Sequence, residues 1–376
     1  MPDALRREPP AGPGRSLLDA LPATASGSQV WAALGRGGLT ARAYRDGAVG
    51  AGVDPDGLAG VLSAVDARFS IAATLSVSVQ LATALPLLAT GTSPAARSAL
   101  EQALAGRATV TLAATDVTAG TDLTALRTQV RTEGDALVVT GGKNWIANAT
   151  TAAHHLVLAR QRPGRHFTAF TWVLVPADAP GVRVTAADSA LFADSGAGHL
   201  TFDGVRTGRD HVLGRAGFGL PLFARHIATE RLAGAQWAVS LCRRTLRDTQ
   251  HHLSTRAHGD GTLWDLDAVR QRFARCLLRL RELQALVAEC GDAVAARHDA
   301  TAAATLKAAA GATVGEVLNE CGQLWGAAGF STGGIQEVRA QAALFGIGGG
   351  ANEVVLGALA DASDALLAEP ARPDLR

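Results

Sequence analysis

The sequence predicts an α+β multidomain fold: an N-terminal helical domain, a middle antiparallel β domain and a C-terminal helical bundle. Three observations carry this prediction. The hydrophobic period changes from helical to two-residue alternation near Arg107 and returns to helical after Gly219. Val, Thr and Phe concentrate in the alternating segment, as β structure favours. Finally, three long helical runs fill the last part of the chain. A chain of 376 residues is long enough for two or three packed domains, and the expected boundaries are 1–106, 107–215 and 216–376.

The first region, from about Ser16 to Ala105, is rich in Ala and Leu at helical spacing and is broken by turns such as GAVGAGVDPDG. Between Phe69 and Ala96 no residue is charged. Ser, Thr, Gln and Pro interrupt this run, which reads as a helix buried in a helical domain rather than a membrane span. In the middle region, ATVTLAA, HLVLAR, FTAFTWVLVP and GHLTFDGV read as short strands, and Glu133-Gly134-Asp135 reads as a hairpin turn. The closing runs, LFARHIATERLAGAQWAVSLCRRTL, LDAVRQRFARCLLRLRELQALVAEC and ATAAATLKAAAGATVGEVLNECGQLWG, suit an antiparallel bundle with connections near 259–261 and 299–301.

Composition excludes several function classes. A net charge of +1 gives no electrostatic reason to expect nucleic acid or an acidic membrane surface, so small molecules are the expected partners. The four cysteines form no C-x-x-C pair and read as reduced, buried thiols. No histidine has a second ligand at metal spacing, and His251-His252 reads as a solvated pair at a helix end. The opening MPDALRREPPAGPGR has charges and prolines where a secretory signal needs an apolar core, and the expected location is the cytoplasm.

The stretch LFGIGGGANE, Leu344 to Glu353, poses the functional question. A glycine-rich phosphate loop follows a strand and opens a helix. Here a helical pattern precedes the glycines and no lysine follows them. Three more segments give this one a context: LAATDVTAGTDLTALRT, GGKNWIANA and QLWGAAGF. Together, in this order, the four resemble the acyl-CoA dehydrogenase family over nearly the whole chain.

That resemblance implies FAD-dependent α,β-dehydrogenation of an acyl thioester, on CoA or on an acyl-carrier protein, with an electron-transfer acceptor and an oligomeric assembly, dimer or tetramer. The reaction needs a carboxylate to remove an α-proton while hydride leaves the β-carbon, and donors to the thioester carbonyl. The family's usual base position aligns with Gly349, which has no side chain to accept a proton. Some relatives carry the base on the first long helix of the C-terminal domain in a Glu-Arg pair. Thr229-Glu230-Arg231-Leu232 stands at that place, making Glu230 the candidate base, and Gly349 keeps a backbone N–H for the carbonyl. The alternative for Glu230 is a solvated helix charge.

For the cofactor, the resemblance implies ring-edge contact by Thr115, pyrophosphate contact by Thr121 and packing by Trp145. It implies a further contact near Arg256, and it places Gln323, Gly326 and Gly329 on the FAD of a neighbouring subunit. Several residues depart from the family pattern. Ala147 and Ala351 replace threonines, and Thr255-Arg256-Ala257-His258-Gly259 sets the arginine one place late. Two alternatives therefore stay open: a non-catalytic or half-site subunit of a mixed assembly, and a flavin-dependent monooxygenase on the same scaffold.

Overall fold

The computed structural model describes residues 13–117, 120 and 122–368. The N-terminal region contains α1 (Pro13–Asp19), α2 (Gly27–Arg36), α3 (Pro55–Asp66), α4 (Ile71–Val79), α5 (Leu85–Leu88) and α6 (Pro94–Leu104). Short polar side chains start several of these helices. Ser26, Asp54, Ser70 and Ser93 each accept first-turn N–H groups, satisfying donors that a helix end leaves open.

The charge-free run folds as α4, a π-helical turn at Gln80–Ala84, and α5. Of the window Ile71–Leu88, 83% is buried inside the protein. A π turn leaves backbone groups off the α-helical register, and here side chains satisfy their neighbourhood. The chain's single tyrosine, Tyr44, donates its hydroxyl to Leu81 O at 2.8 Å. Gln80 accepts from Val110 N at 3.2 Å and donates back to Val110 O, tying the turn to the first strand.

The middle region forms β1 (Thr109–Ala113), β2 (Gln129–Glu133), β3 (Ala136–Ile146), β4 (Ala152–Arg160), β5 (Phe170–Pro176), β6 (Val182–Ala186), β7 (Gly198–Gly208) and β8 (Val212–Leu213). Gly134, at φ 58°, supplies the left-handed residue that the β2–β3 turn requires. The sheet runs β6-β7-β3-β2-β4-β5-β8, with β1 beside β4. Its pairings are antiparallel except that β1 lies parallel to β4 and β2 meets β4 in parallel at Gln129 and Arg160. Alternation cannot reveal this direction: it reports which face a side chain occupies, not which way the neighbouring strand runs.

The C-terminal region opens with the 37-residue α7 (Gly219–Thr255), followed by α8 (Asp267–Arg297) and α9 (Ala300–Trp325). After these come α10 (Ile335–Ala342), α11 (Leu344–Ile347), α12 (Asn352–Asp361) and α13 (Ser363–Leu367). A two-strand ribbon, Ala257–His258 with Gly261–Thr262, joins α7 to α8. The buried face of α7 includes Leu232, Ala233, Trp237, Leu241 and Leu253. Truncating one such leucine to alanine costs about 2–5 kcal/mol.

Buried polar bonds lock the regions together. Trp237 on α7 donates its indole N–H to Asp66 Oδ1 at 2.9 Å, and Arg244 Nε reaches Asp66 Oδ2 at 2.8 Å. Trp172 on β5 donates to Gly219 O at 2.9 Å, fixing the start of α7 against the sheet. His252 is not a freely solvated charge: its ring stacks on Trp325, with centroids 4.2 Å apart and planes 9° apart. Cys242, Cys276 and Cys321 are buried free thiols, and Cys290 is half-buried.

Candidate active site

Two neighbouring surfaces converge on α4. On the sheet side, β3 ends in a turn where Trp145 and Asn148 both hold left-handed backbones, at φ 56° and 65°. Asn148 is fully buried and donates Nδ2 to Ser76 O at 3.2 Å, docking the turn on α4. Trp145 in contrast is 60% exposed, and its indole meets the edge of His199 at 5.3 Å. A left-handed, non-glycine tryptophan that stays in solvent is costly on both counts, which marks it as a surface held ready for contact.

Beside it, Thr115 is half-buried and its carbonyl accepts from Asn144 N at 3.3 Å. Thr121 lies outside the described residues. Beneath this turn a buried carboxylate and a buried lysine lie close enough to feel each other's charge. Asp116 accepts from Val117 N at 2.6 Å, Arg127 N at 2.7 Å, Thr128 N at 2.8 Å and Thr128 Oγ1 at 3.0 Å. Burial pushes Asp116 up, but the Thr128 amide, the Lys143 charge, the Arg127 amide and the Thr128 hydroxyl outweigh it and hold the carboxyl below the usual range. Lys143, fully buried, donates to Ala114 O at 2.9 Å, and burial pushes it down to about 7 against the pull of Asp116.

The second surface is a cleft enclosed by α4, α7, α9 and α11. Glu230 lies on α7 and lines this cleft together with Gly349, so the two positions singled out in the sequence meet in space. A Cβ built on Gly349 would stand 4.0 Å from Glu230 Oε1 and 3.7 Å from Arg231 Cγ. A carboxylate at 349 would crowd the volume that Glu230 already occupies. Gly349 itself sits at φ 72°, a conformation that glycine adopts without strain.

Burial raises the Glu230 pKa above the ordinary carboxylate value, although the Thr83 hydroxyl, which also donates to Val79 O at 3.0 Å, and the nearby Arg231 charge both oppose the rise. Thr83 belongs to the π turn, and nothing in the sequence pattern marks it. Arg231 donates Nε to Gly349 O at 3.0 Å, fixing the glycine turn. The N–H of Gly349 has no acceptor among the described residues. Lys307 of α9 also lines the cleft, donating to Phe345 O at 2.8 Å and Asn352 Oδ1 at 2.6 Å. Burial and the Arg231 charge push it down to about 8, with Glu353 opposing. As the first charged residue of an alanine-rich helix, it carried a signal that spacing arguments passed over.

The remaining expected contacts lie apart from the cleft. Arg256 caps the end of α7 and is exposed. Gln323 and Gly326 are exposed at the end of α9, with Gly326 at φ 56°. Gly329 is buried because a Cβ there would come within 2.7 Å of Ile335. Its smallness serves packing within this chain.

Comparison with known proteins bears on this arrangement. The middle-domain model of acyl-CoA dehydrogenases matches residues 111–205, and the C-terminal-domain model matches 217–363. An acyl-[acyl-carrier-protein] dehydrogenase, MbtN, of Mycobacterium sp. (strain MCS) is 30% identical over 268 residues, covering 69% of this chain and 67% of the relative. The same-named protein of Mycolicibacterium paratuberculosis is 29% identical, and the match spans 62% of its length. Among solved structures, a probable acyl-CoA dehydrogenase from Mycobacterium abscessus superposes with a TM-score of 0.83 at 23% identity, over 93% of this chain and 96% of the other. A glutaryl-CoA dehydrogenase from Mycobacterium smegmatis in complex with FADH2 gives 0.83 at 19% identity, over 95% and 94%. With both domain models in sequence order, a shared architecture and a relative at this identity, the chain belongs to the acyl-CoA dehydrogenase family.

Proposed function

We propose that the protein carries out FAD-dependent α,β-dehydrogenation of an acyl thioester, with Glu230 as the base that removes the α-proton. The observation that carries this reading is the Glu230 carboxylate: half-buried, raised in pKa and opposed by a glycine turn across a narrow cleft. A carboxylate so placed is a stronger base than one in water.

The sheet-side surface fits the cofactor. Trp145 offers an exposed indole fixed by its backbone, and Thr115 stands beside it with a hydroxyl, a pairing suited to a planar ring with polar edges. Bound there, FAD would supply the acceptor for the hydride. The chain's own residues do the rest. Glu230 takes the α-proton on its carboxylate, and the Gly349 N–H is available to the thioester carbonyl as charge develops on its oxygen. Arg231 holds the Gly349 peptide in place through its carbonyl. The apolar walls limit water beside the carboxylate.

The MbtN relatives are named for acyl groups on a carrier protein, which supports a carrier-protein thioester as substrate beside CoA. The reduced cofactor would pass its electrons to an external acceptor. Purified protein with added FAD should show a flavin spectrum that bleaches anaerobically with an acyl thioester. Glu230→Gln should keep the spectrum and lose the bleaching. Undiminished bleaching by that variant would reject Glu230 as base, while oxygen consumption with the flavin supplied in reduced form and no thioester present would favour an oxygenase.

A further inference from the structure

We infer that Trp237 and Phe345 form a fixed floor that restricts the substrate to short acyl chains. This inference rests on the dehydrogenase reading above. Glu230, Gly234 and Trp237 are spaced i, i+4 and i+7 on α7, so they lie on one face and all line the cleft. Glu230 stands at one end of this row and Trp237 at the other. Between them, a Cβ built on Gly234 would meet no atom within 4 Å. Glycine inside a helix costs roughly 0.5–1 kcal/mol relative to alanine, and here it leaves the space beside the carboxylate open.

The far end is closed. Trp237 is 1% exposed, and its ring packs on Phe345 with centroids 4.7 Å apart at 58°. The indole cannot swing aside freely, because its N–H is bonded to buried Asp66, which Arg244 holds in turn. Phe345 is anchored through its own carbonyl by Lys307. The interior of the cleft measures about 60 Å³, well short of the roughly 300 Å³ at which pockets for larger ligands begin. With the α- and β-carbons beside Glu230, a short acyl chain fills this space.

S-acyl pantetheines of four, six, eight and twelve carbons test the inference, because pantetheine is common to CoA and carrier protein. Anaerobic flavin bleaching would be timed with each, and affinities would be measured for the matching unreactive S-alkyl thioethers by calorimetry. The wild type should bleach fastest with the four-carbon chain and at least tenfold more slowly with the eight-carbon one. Phe345→Ala and Trp237→Phe should move the optimum to longer chains. Gly234→Leu should weaken four-carbon thioether binding at least tenfold while the flavin spectrum stays intact. Equal or faster bleaching with eight and twelve carbons, or an unchanged length profile in the folded variants, would overturn the inference. If no thioester bleaches the flavin, the dehydrogenase reading fails, and the thioether series still decides the floor: a four-carbon optimum sustains it and a flat series rejects it.

Discussion

Two carboxylates with restricted access to water, the buried Asp116 in the β domain and the half-buried Glu230 on α7, face opposite fates. Asp116 accepts four hydrogen bonds and sits beside a buried lysine, so its charge is fully compensated. Glu230 has Thr83 and the Arg231 charge, and burial still dominates. The first is a structural anchor and the second a group left wanting a proton. Burial alone therefore does not identify a base; the shortage of compensating partners does.

The largest effect expected from this contrast is on turnover. Glu230→Gln should reduce thioester-dependent flavin bleaching by about 10²–10⁴-fold, the usual contribution of a positioned base. Asp116→Ala should act on stability instead. It leaves the Arg127 and Thr128 donors without their acceptor, at a cost of about 1–3 kcal/mol for each buried group left unpaired, which chemical denaturation would detect. If Asp116→Ala were stable and Glu230→Gln unfolded, the contrast would be reversed and the assignment wrong.

The pH dependence separates the two further. Glu230 acts only when ionised, so bleaching should increase with pH through a midpoint above the usual carboxylate value, in the direction its burial dictates. The stability signs are opposite. The raised Glu230 makes the folded state bind its proton more tightly, so its contribution declines as pH rises through that window. Asp116, held low, contributes above the usual carboxylate pKa and loses its contribution as pH falls through its depressed value. At neutral pH, Glu230→Gln should therefore melt at the same temperature as the parent or higher. The smallest expected effect is that of Thr83→Val: without this hydrogen bond the pH–rate midpoint should move upward, by less than one unit for a bond of about 1 kcal/mol.

Much of the architecture was legible because periodicity reports burial directly. The three regions emerged from the change of period, and the charge-free run resolved as a core helix because its polar residues could be satisfied inside: Ser76 by Asn148 and Gln80 by Val110. Within the cleft, Glu230 and Gly349, far apart in the chain, could be paired only through family resemblance, since helical spacing links near neighbours alone. Thr83, Lys307 and the Trp237–Phe345 floor escaped for that reason. Each looks like an ordinary core or helix residue until the fold brings four helices to one place. The parallel β1–β4 pairing escaped because strand direction leaves no trace in alternation, and the stacking of His252 on Trp325 because their partnership joins two distant helices.

The π turn at Gln80–Ala84 has an implication for any reshaping of this protein. A π turn holds one residue more than an α-helical turn, so deleting a single residue there would let the segment relax to regular helix. Everything downstream to Leu88 would keep about its present angular phase, because the π turn already absorbs the extra residue, but the bulge itself would be lost. Gln80 and Thr83, the polar residues of the bulge, would lose the backbone geometry in which they bond Val110 and Val79. One surplus residue thus decides where this helix presents its polar side chains to the first strand.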